Sequence, residues 1–187
     1  MKNLLVIVFA ISAAIHLQGQ NYSLGAYSMS IKGSSNLHAW ESFVKEVRAS
    51  AQMTADANGL KEISSFYVEI PVKSIKSTKG SIMDGKTYDA LKADKFANIS
   101  FKLSSATINR SGNSYDINAK GDLSIAGTTR RTDIYVKGTA EGDNITFKGS
   151  KWLKMTDFGV NPPTALMGTL TTGNDVEIVF QITMKKS

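Results

Sequence analysis

Few side chains in this 187-residue sequence could do chemistry. There is no cysteine, which excludes disulfides, thiolate metal sites and cysteine nucleophiles. Histidine occurs at His16 and His38 alone, too few ligands for the usual nitrogen and sulfur metal sets. The acidic residues lack calcium-loop spacing, and no Gly-rich phosphate loop precedes a helix. His38 falls on one parity of an extended segment with Asn36 and Trp40. That trio could contact a polar head group, or His38 could act as a base. A base alone makes no active site, because it needs a nucleophile or an orienting partner, and no Ser-centred elbow is present. The simpler reading is a strand end at which Trp40 plugs a core and His38 satisfies a turn. Arg130-Arg131 is the one basic pair suited to phosphate, with a solvated hairpin as its simpler account. Asp157-Phe158-Gly159 lacks every companion of a kinase signature and reads as a turn before Pro162-Pro163, with Phe158 packed inward. The expectation is therefore no enzyme, no cofactor and no metal.

The elements that must position these residues read as strands. Eight segments each keep one apolar parity, the mark of one dry and one wet face. They are marked by Tyr27-Met29-Ile31, by Phe43-Val47-Ala49-Ala51-Met53, by Phe66-Val68-Ile70-Val72, by Ile99-Phe101-Leu103, by Tyr115-Ile117-Ala119-Leu123-Ile125, by Ile134-Val136-Ala140, by Ile145-Phe147-Leu153-Met155 and by Val176-Ile178-Phe180-Ile182-Met184. Hairpin chemistry separates several of them: Asn58-Gly59, Ser111-Gly112-Asn113, Glu141-Gly142-Asp143-Asn144 and Gly173-Asn174-Asp175. Only Asp84 to Lys95 has helical spacing, through Tyr88, Leu91 and Lys92. The spacing predicts an all-β fold: a single eight-stranded antiparallel barrel with one helical excursion between strands three and four. Closure removes exposed edges, and eight strands leave an interior that is filled by side chains or holds one small ligand.

Two features of the dry face bear on that choice. Phe66, Phe101, Phe147 and Phe180 share it with Ala49, Ala119, Gly121, Gly138 and Gly149, and small inward residues leave volume for a ligand or fit the taper of a packed barrel. Lys151 breaks the parity of strand seven. A regular strand points it inward, where an anionic head group could pair with it. A bulge near Gly149 would turn it outward and bring Trp152 in, and this is the preferred reading.

The first residues carry a separate signal. Met1-Lys2-Asn3 precedes an apolar run from Leu4 to Ile15, interrupted by Ser12. The run is too short to span a bilayer and matches a secretory leader. Residues 1–19 are expected to be a cleaved signal peptide, leaving one domain over residues 20–187 in the periplasm. Loss of Lys2 lowers the formal charge from +6 to +5. The charges are scattered, so no nucleic-acid partner is expected.

Three segments resemble the YceI-like family of periplasmic lipid-binding and polyisoprenoid-binding proteins: Gly33-Ser34-Ser35-Asn36-Leu37-His38-Ala39-Trp40; Ile70-Pro71-Val72-Lys73-Ser74-Ile75 with Met83-Asp84, Ala90-Leu91-Lys92-Ala93 and Ile99-Ser100-Phe101; and Gly121 to Arg130 with Met155-Thr156-Asp157-Phe158-Gly159-Val160-Asn161-Pro162-Pro163. Ala97-Asn98 stands where the family pattern would have a proline. The resemblance implies a lipocalin-like barrel that encloses an isoprenoid or other long-chain lipid, or a quinone-like molecule, without catalysis. Phe66, Val68, Phe101, Phe147, Met155, Phe158 and Phe180 are the expected liners, with Asn36, His38, Trp40, Arg130 and Lys151 as head-group candidates. An uncapped apolar mouth would favour a homodimer. The competing readings are a filled barrel with an interaction role, an enzyme acting on the bound lipid, and an outer-membrane barrel. An Ala- and Gly-rich apolar face and a chain ending Met184-Lys185-Lys186-Ser187 argue against the last.

Overall fold

The computed structural model describes residues 19–56, 59–112, 114–165 and 168–187. Residues 1–18 of the expected signal segment, and Asn58 and Asn113 of the expected turns, lie outside the described residues.

The strands are β1 (Gln20–Ser35), β2 (Ala39–Val44), β3 (Arg48–Asp56), β4 (Gly59–Pro71), β5 (Ile75–Ser77), β6 (Asn98–Ser111), β7 (Ser114–Ile125), β8 (Thr128–Glu141), β9 (Asn144–Lys154), β10 (Thr164–Ala165) and β11 (Leu170–Lys186), with one helix, α1 (Ser81–Ala90). Eight of them close a barrel in the order β1, β3, β4, β6, β7, β8, β9, β11, and β11 returns to pair antiparallel with β1. Period-two patterning fixes the register. Between β9 and β11, Phe147 faces Ile182 and Ile145 faces Met184, so apolar residues meet on the inner face.

The barrel has a closed end. Tyr22, Met53, Leu60, Tyr115, Ile145 and Met184 are all buried there. The Tyr115 hydroxyl accepts the Leu60 N–H at 3.0 Å, which satisfies a backbone donor next to the β3–β4 turn.

Two expectations about the elements are corrected. The segment marked by Phe43 to Met53 is two strands. β2 pairs with the upper half of β1 (Ser30 facing Phe43) and β3 with the lower half (Ser23 facing Ser50), in one continuous register. At the corner between them the Tyr27 hydroxyl donates to the Lys45 carbonyl at 2.7 Å, and Val47 turns into the core. β2 is thereby freed to pair with β5, a three-residue strand too short to show a period. The helix consequently follows the fifth strand and not the third. It also begins earlier than predicted, because Gly80 adopts φ 88° before its first turn, and Lys92 in the left-handed region (φ 53°) prevents it from running on to Lys95.

Candidate ligand-binding site

Two adjoining chambers run up the barrel from its closed end. The inner one encloses about 120 Å³ and the outer one, at the mouth, about 250 Å³. Each far exceeds the roughly 10–15 Å³ that one water requires. Ile99 and Ile178 line both and form the waist between them.

Five of the seven expected liners face the inner chamber: Phe66, Val68, Phe101, Phe147 and Phe180. The Phe66 and Phe147 rings meet edge to face, with centroids 5.4 Å apart and planes at 86°. Met29, Ile63, Ala119 and Ile134 are among the other residues of the wall. Apart from Ser100 and Lys151, the residues that line the inner chamber are apolar, and an apolar cavity of this kind stays dry and takes apolar ligands.

The glycines of the dry face do not create this space. A Cβ on Gly121 would stand 2.5 Å from both the Lys102 carbonyl oxygen and Cζ of Phe101, and one on Gly149 would stand 2.9 Å from Cζ of Phe180. These glycines are seats that let phenyl rings lie against the wall. The rings thus lie back along the sheet, and the volume remains in the middle.

Lys151 is the exception in the lining. The β9–β11 register runs unbroken past it, so no bulge forms, and Trp152 points out with 62% exposure. The preferred sequence reading is thus overturned. The side chain fits where the β8–β9 ladder stops: pairing begins at Val136–Gly149, and the Lys151 ammonium donates to the Asp133 carbonyl oxygen at 2.8 Å in place of the next ladder bond. Among the described residues no carboxylate lies within salt-bridge distance of it.

Met155 and Phe158 line the mouth chamber, on the 3-10 turn that follows β9. Gly159, at φ 65°, ends this turn, and Phe158 and Val160 pack inward from it. The Asp157-Phe158-Gly159 triplet is therefore a structural corner, as the sequence indicated. His38 and Trp40 also face the mouth chamber. The indole lies over Gly33, its cross-strand neighbour, and donates to the Ser34 carbonyl at 3.0 Å.

Asn36 and Arg130 line neither chamber. The Asn36 amide donates to the Thr169 carbonyl at 2.8 Å, and its oxygen accepts the Thr171 N–H at 3.0 Å, fastening the β1–β2 turn to the start of β11. The Arg130 guanidinium donates to the Asp157 carbonyl at 2.7 Å and braces the 3-10 turn.

Sequence reasoning missed the lysines of the mouth. Lys79 reaches it from the link between β5 and α1, Lys86 from α1 itself, and Lys154 from the end of β9. Together with His38 they leave its described lining with basic side chains and no carboxylate. Two anchors hold α1 over the opening. Asp84, 8% exposed, accepts the Ser77 N–H at 2.7 Å and lies 3.4 Å from Lys76. The Tyr88 hydroxyl shares its one proton between the Lys73 and Ile75 carbonyls and accepts from Lys76 at 2.6 Å, a bond that raises the Lys76 ammonium above its ordinary value. Among the described residues no three His, Asp or Glu side chains cluster as a metal site, and no helix is long and apolar enough to cross a membrane.

The barrel has close counterparts among solved structures. Burkholderia cenocepacia BcnA superposes with a TM-score of 0.65 at 22% identity, over 84% of this chain and 95% of that one. A polyisoprenoid binding domain from Saccharophagus degradans, described as implicated in plant cell wall breakdown, gives 0.66 at 12% identity, over 89% and 98%. The Campylobacter jejuni YCEI protein gives 0.60 at 17% identity, over 100% and 99%. No curated protein sequence matches the chain. The family model of the YceI-like domain matches residues 24–184, from the first barrel strand to the last, and the chain therefore belongs to the YceI-like family.

Proposed function

We propose that this protein binds a long apolar lipid inside the barrel, as an isoprenoid or quinone-like chain, and carries or sequesters it in the periplasm without acting on it. The observation that carries this reading is the pair of adjoining chambers that share Ile99 and Ile178 in their walls. A tail would thread past the waist into the inner chamber, where each Å² of apolar surface removed from water contributes about 25 cal/mol. The polar end would remain at the mouth, among His38, Trp40, Lys79, Lys86 and Lys154. The description of the Saccharophagus degradans relative as a polyisoprenoid binding domain supports the ligand class. An inner chamber whose lining is apolar apart from Ser100 and Lys151 suits containment better than catalysis, which needs polar groups converging on a reacting atom.

The test is native mass spectrometry of residues 20–187 purified after export, repeated after denaturation. A mass excess released as an isoprenoid or quinone-like species is the expected result. Protein that arrives bare and also refuses added polyprenyl lipids would overturn the reading and favour a filled barrel with an interaction role.

A further inference from the structure

The mouth end of the barrel has a surface that cargo binding does not explain. Its rim is built in part from the β1–β2 hairpin, which supplies His38 and Trp40, and from the segment that follows β5, which supplies Lys79 before α1 and Met83 and Lys86 within it. These two segments lie side by side. Ser42 faces Ser77 across the β2–β5 ladder, and the Thr78 N–H donates to the Glu41 carbonyl. Both therefore project from the same end of the molecule.

Each projects an aliphatic side chain into solvent. Leu37, at the tip of the hairpin, is 74% exposed, and Ile82, in the first turn of α1, is 78% exposed. No other large apolar side chain among the described residues is as exposed as these two. Beside them stand the basic side chains of the mouth, without a carboxylate in the lining. Of the acids on these segments, Asp84 is buried on the inner side of α1 and Glu41 lies 3.9 Å from Lys32, while Asp89, in the last turn of α1, is exposed.

Isolated aliphatic tips set among cations differ from a protein-binding face, which needs a contiguous apolar centre depleted of charge. They match what a bilayer surface rewards. Apolar side chains enter the boundary between head groups and acyl chains, while lysines face lipid phosphates. We propose that the mouth end docks on bilayers containing anionic lipids through Leu37, Ile82 and the basic rim. The inference stands apart from the identity of the cargo. Docking in this orientation turns the opening of the mouth chamber toward the membrane.

The test is vesicle flotation of residues 20–187. One set of vesicles is phosphatidylcholine alone; the other contains a one-third share of phosphatidylglycerol. The expected result is binding to the phosphatidylglycerol vesicles only, weakened by salt and reduced about tenfold or more in Leu37→Ser/Ile82→Ser. Neither residue lines a chamber, so lipid content by mass spectrometry stays unchanged in that variant, and a thermal melt verifies its fold. Tyr135→Ser/Trp152→Ser removes comparably exposed side chains, at 70% and 62%, from the barrel wall and is expected to bind vesicles like the parent. Three results would overturn the proposal: no binding to anionic vesicles, equal loss from both pairs of substitutions, or loss of a dimer in Leu37→Ser/Ile82→Ser with vesicle binding intact. The last would assign the face to a second copy of the chain. Cargo content measured on the same preparations separates each of these from failure of the lipid-binding reading.

Discussion

At the residue scale, the chamber depends on where a few phenyl rings rest. Phe101 lies against Gly121, where a Cβ would meet both its ring and a backbone carbonyl at 2.5 Å. The carbonyl belongs to the β6–β7 ladder and has little freedom to move, so the ring must swing inward. Gly121→Ala is expected to destabilise the protein by about 1–3 kcal/mol and to lower cargo content, as read by urea denaturation and by mass spectrometry of the purified protein. An unchanged denaturation midpoint with full cargo would show that the ring is not seated there. A second residue reports on the closed end. Burial raises the Tyr22 phenol above its ordinary value of 10.0, and the negative charge of Asp143 adds to this. A raised phenol favours the folded state while neutral, and that contribution fades as pH climbs through the folded value. Stability should therefore fall as pH rises above about 10, and less steeply in Tyr22→Phe; parallel slopes in the two proteins would refute it. Residue identities were legible where parity alone decides direction, as for Phe66, Phe147 and Phe180. They were misleading where the meaning of a residue depends on its cross-strand neighbour. Gly121 reads as free volume until Phe101 is seen against it. Lys151 reads as a misfit until the end of the β8–β9 ladder exposes the Asp133 carbonyl that it meets.

At the element scale, the mouth is defined by how α1 is tethered. The helix has no continuous apolar face to bury, and its one buried residue is Asp84. The tether is that carboxylate on the Ser77 N–H, with Tyr88 as a second pin on the carbonyls around β5. Removing a charged acceptor from this half-buried backbone donor costs up to about 1–3 kcal/mol, the range for a buried one. Asp84→Ala is thus expected to loosen Ser81–Ala90 while the barrel ladders stay protected. Hydrogen exchange would show faster exchange in α1 and unchanged exchange in β7 and β8; uniform loss would mean that α1 is integral to the barrel. The long strands were legible because eight or more alternating residues give a strong period. β2 and β5 were not. The apolar residues Phe43, Val47, Ala49, Ala51 and Met53 read as one parity, but the inward parity changes at the β2–β3 corner: β2 buries Ser42 and Val44 and leaves Phe43 40% exposed, whereas β3 buries Ala51 and Met53, and three residues in β5 carry no period at all. These two short strands also explain the misplaced helix, which they carry to the lip of the barrel.

At the scale of the whole molecule, the chain holds an interior that it does not fill. Natural cores have few voids beyond the size of a water, and an unfilled chamber forfeits packing that a ligand would restore. A lipid that binds only the closed barrel must therefore stabilise it by mass action. At a free concentration near one hundred times the dissociation constant, the gain is about 2.7 kcal/mol. For a domain of this size each kcal/mol raises the melting temperature by about 2–4 °C, so added polyprenol should raise it by roughly 5–10 °C. Ala119→Leu provides the internal control. Ala119 lines the inner chamber on β7, beside open volume, so a leucine there occupies ligand space without displacing a packed ring. The variant without lipid should melt at or above the parent, since its new side chain supplies contacts that the cavity lacks. The shift on adding polyprenol should then shrink or vanish. A parent and variant that shift equally would place the lipid in the mouth chamber alone. A parent that does not shift at saturating polyprenol would mean that the barrel takes no such ligand, whatever its family.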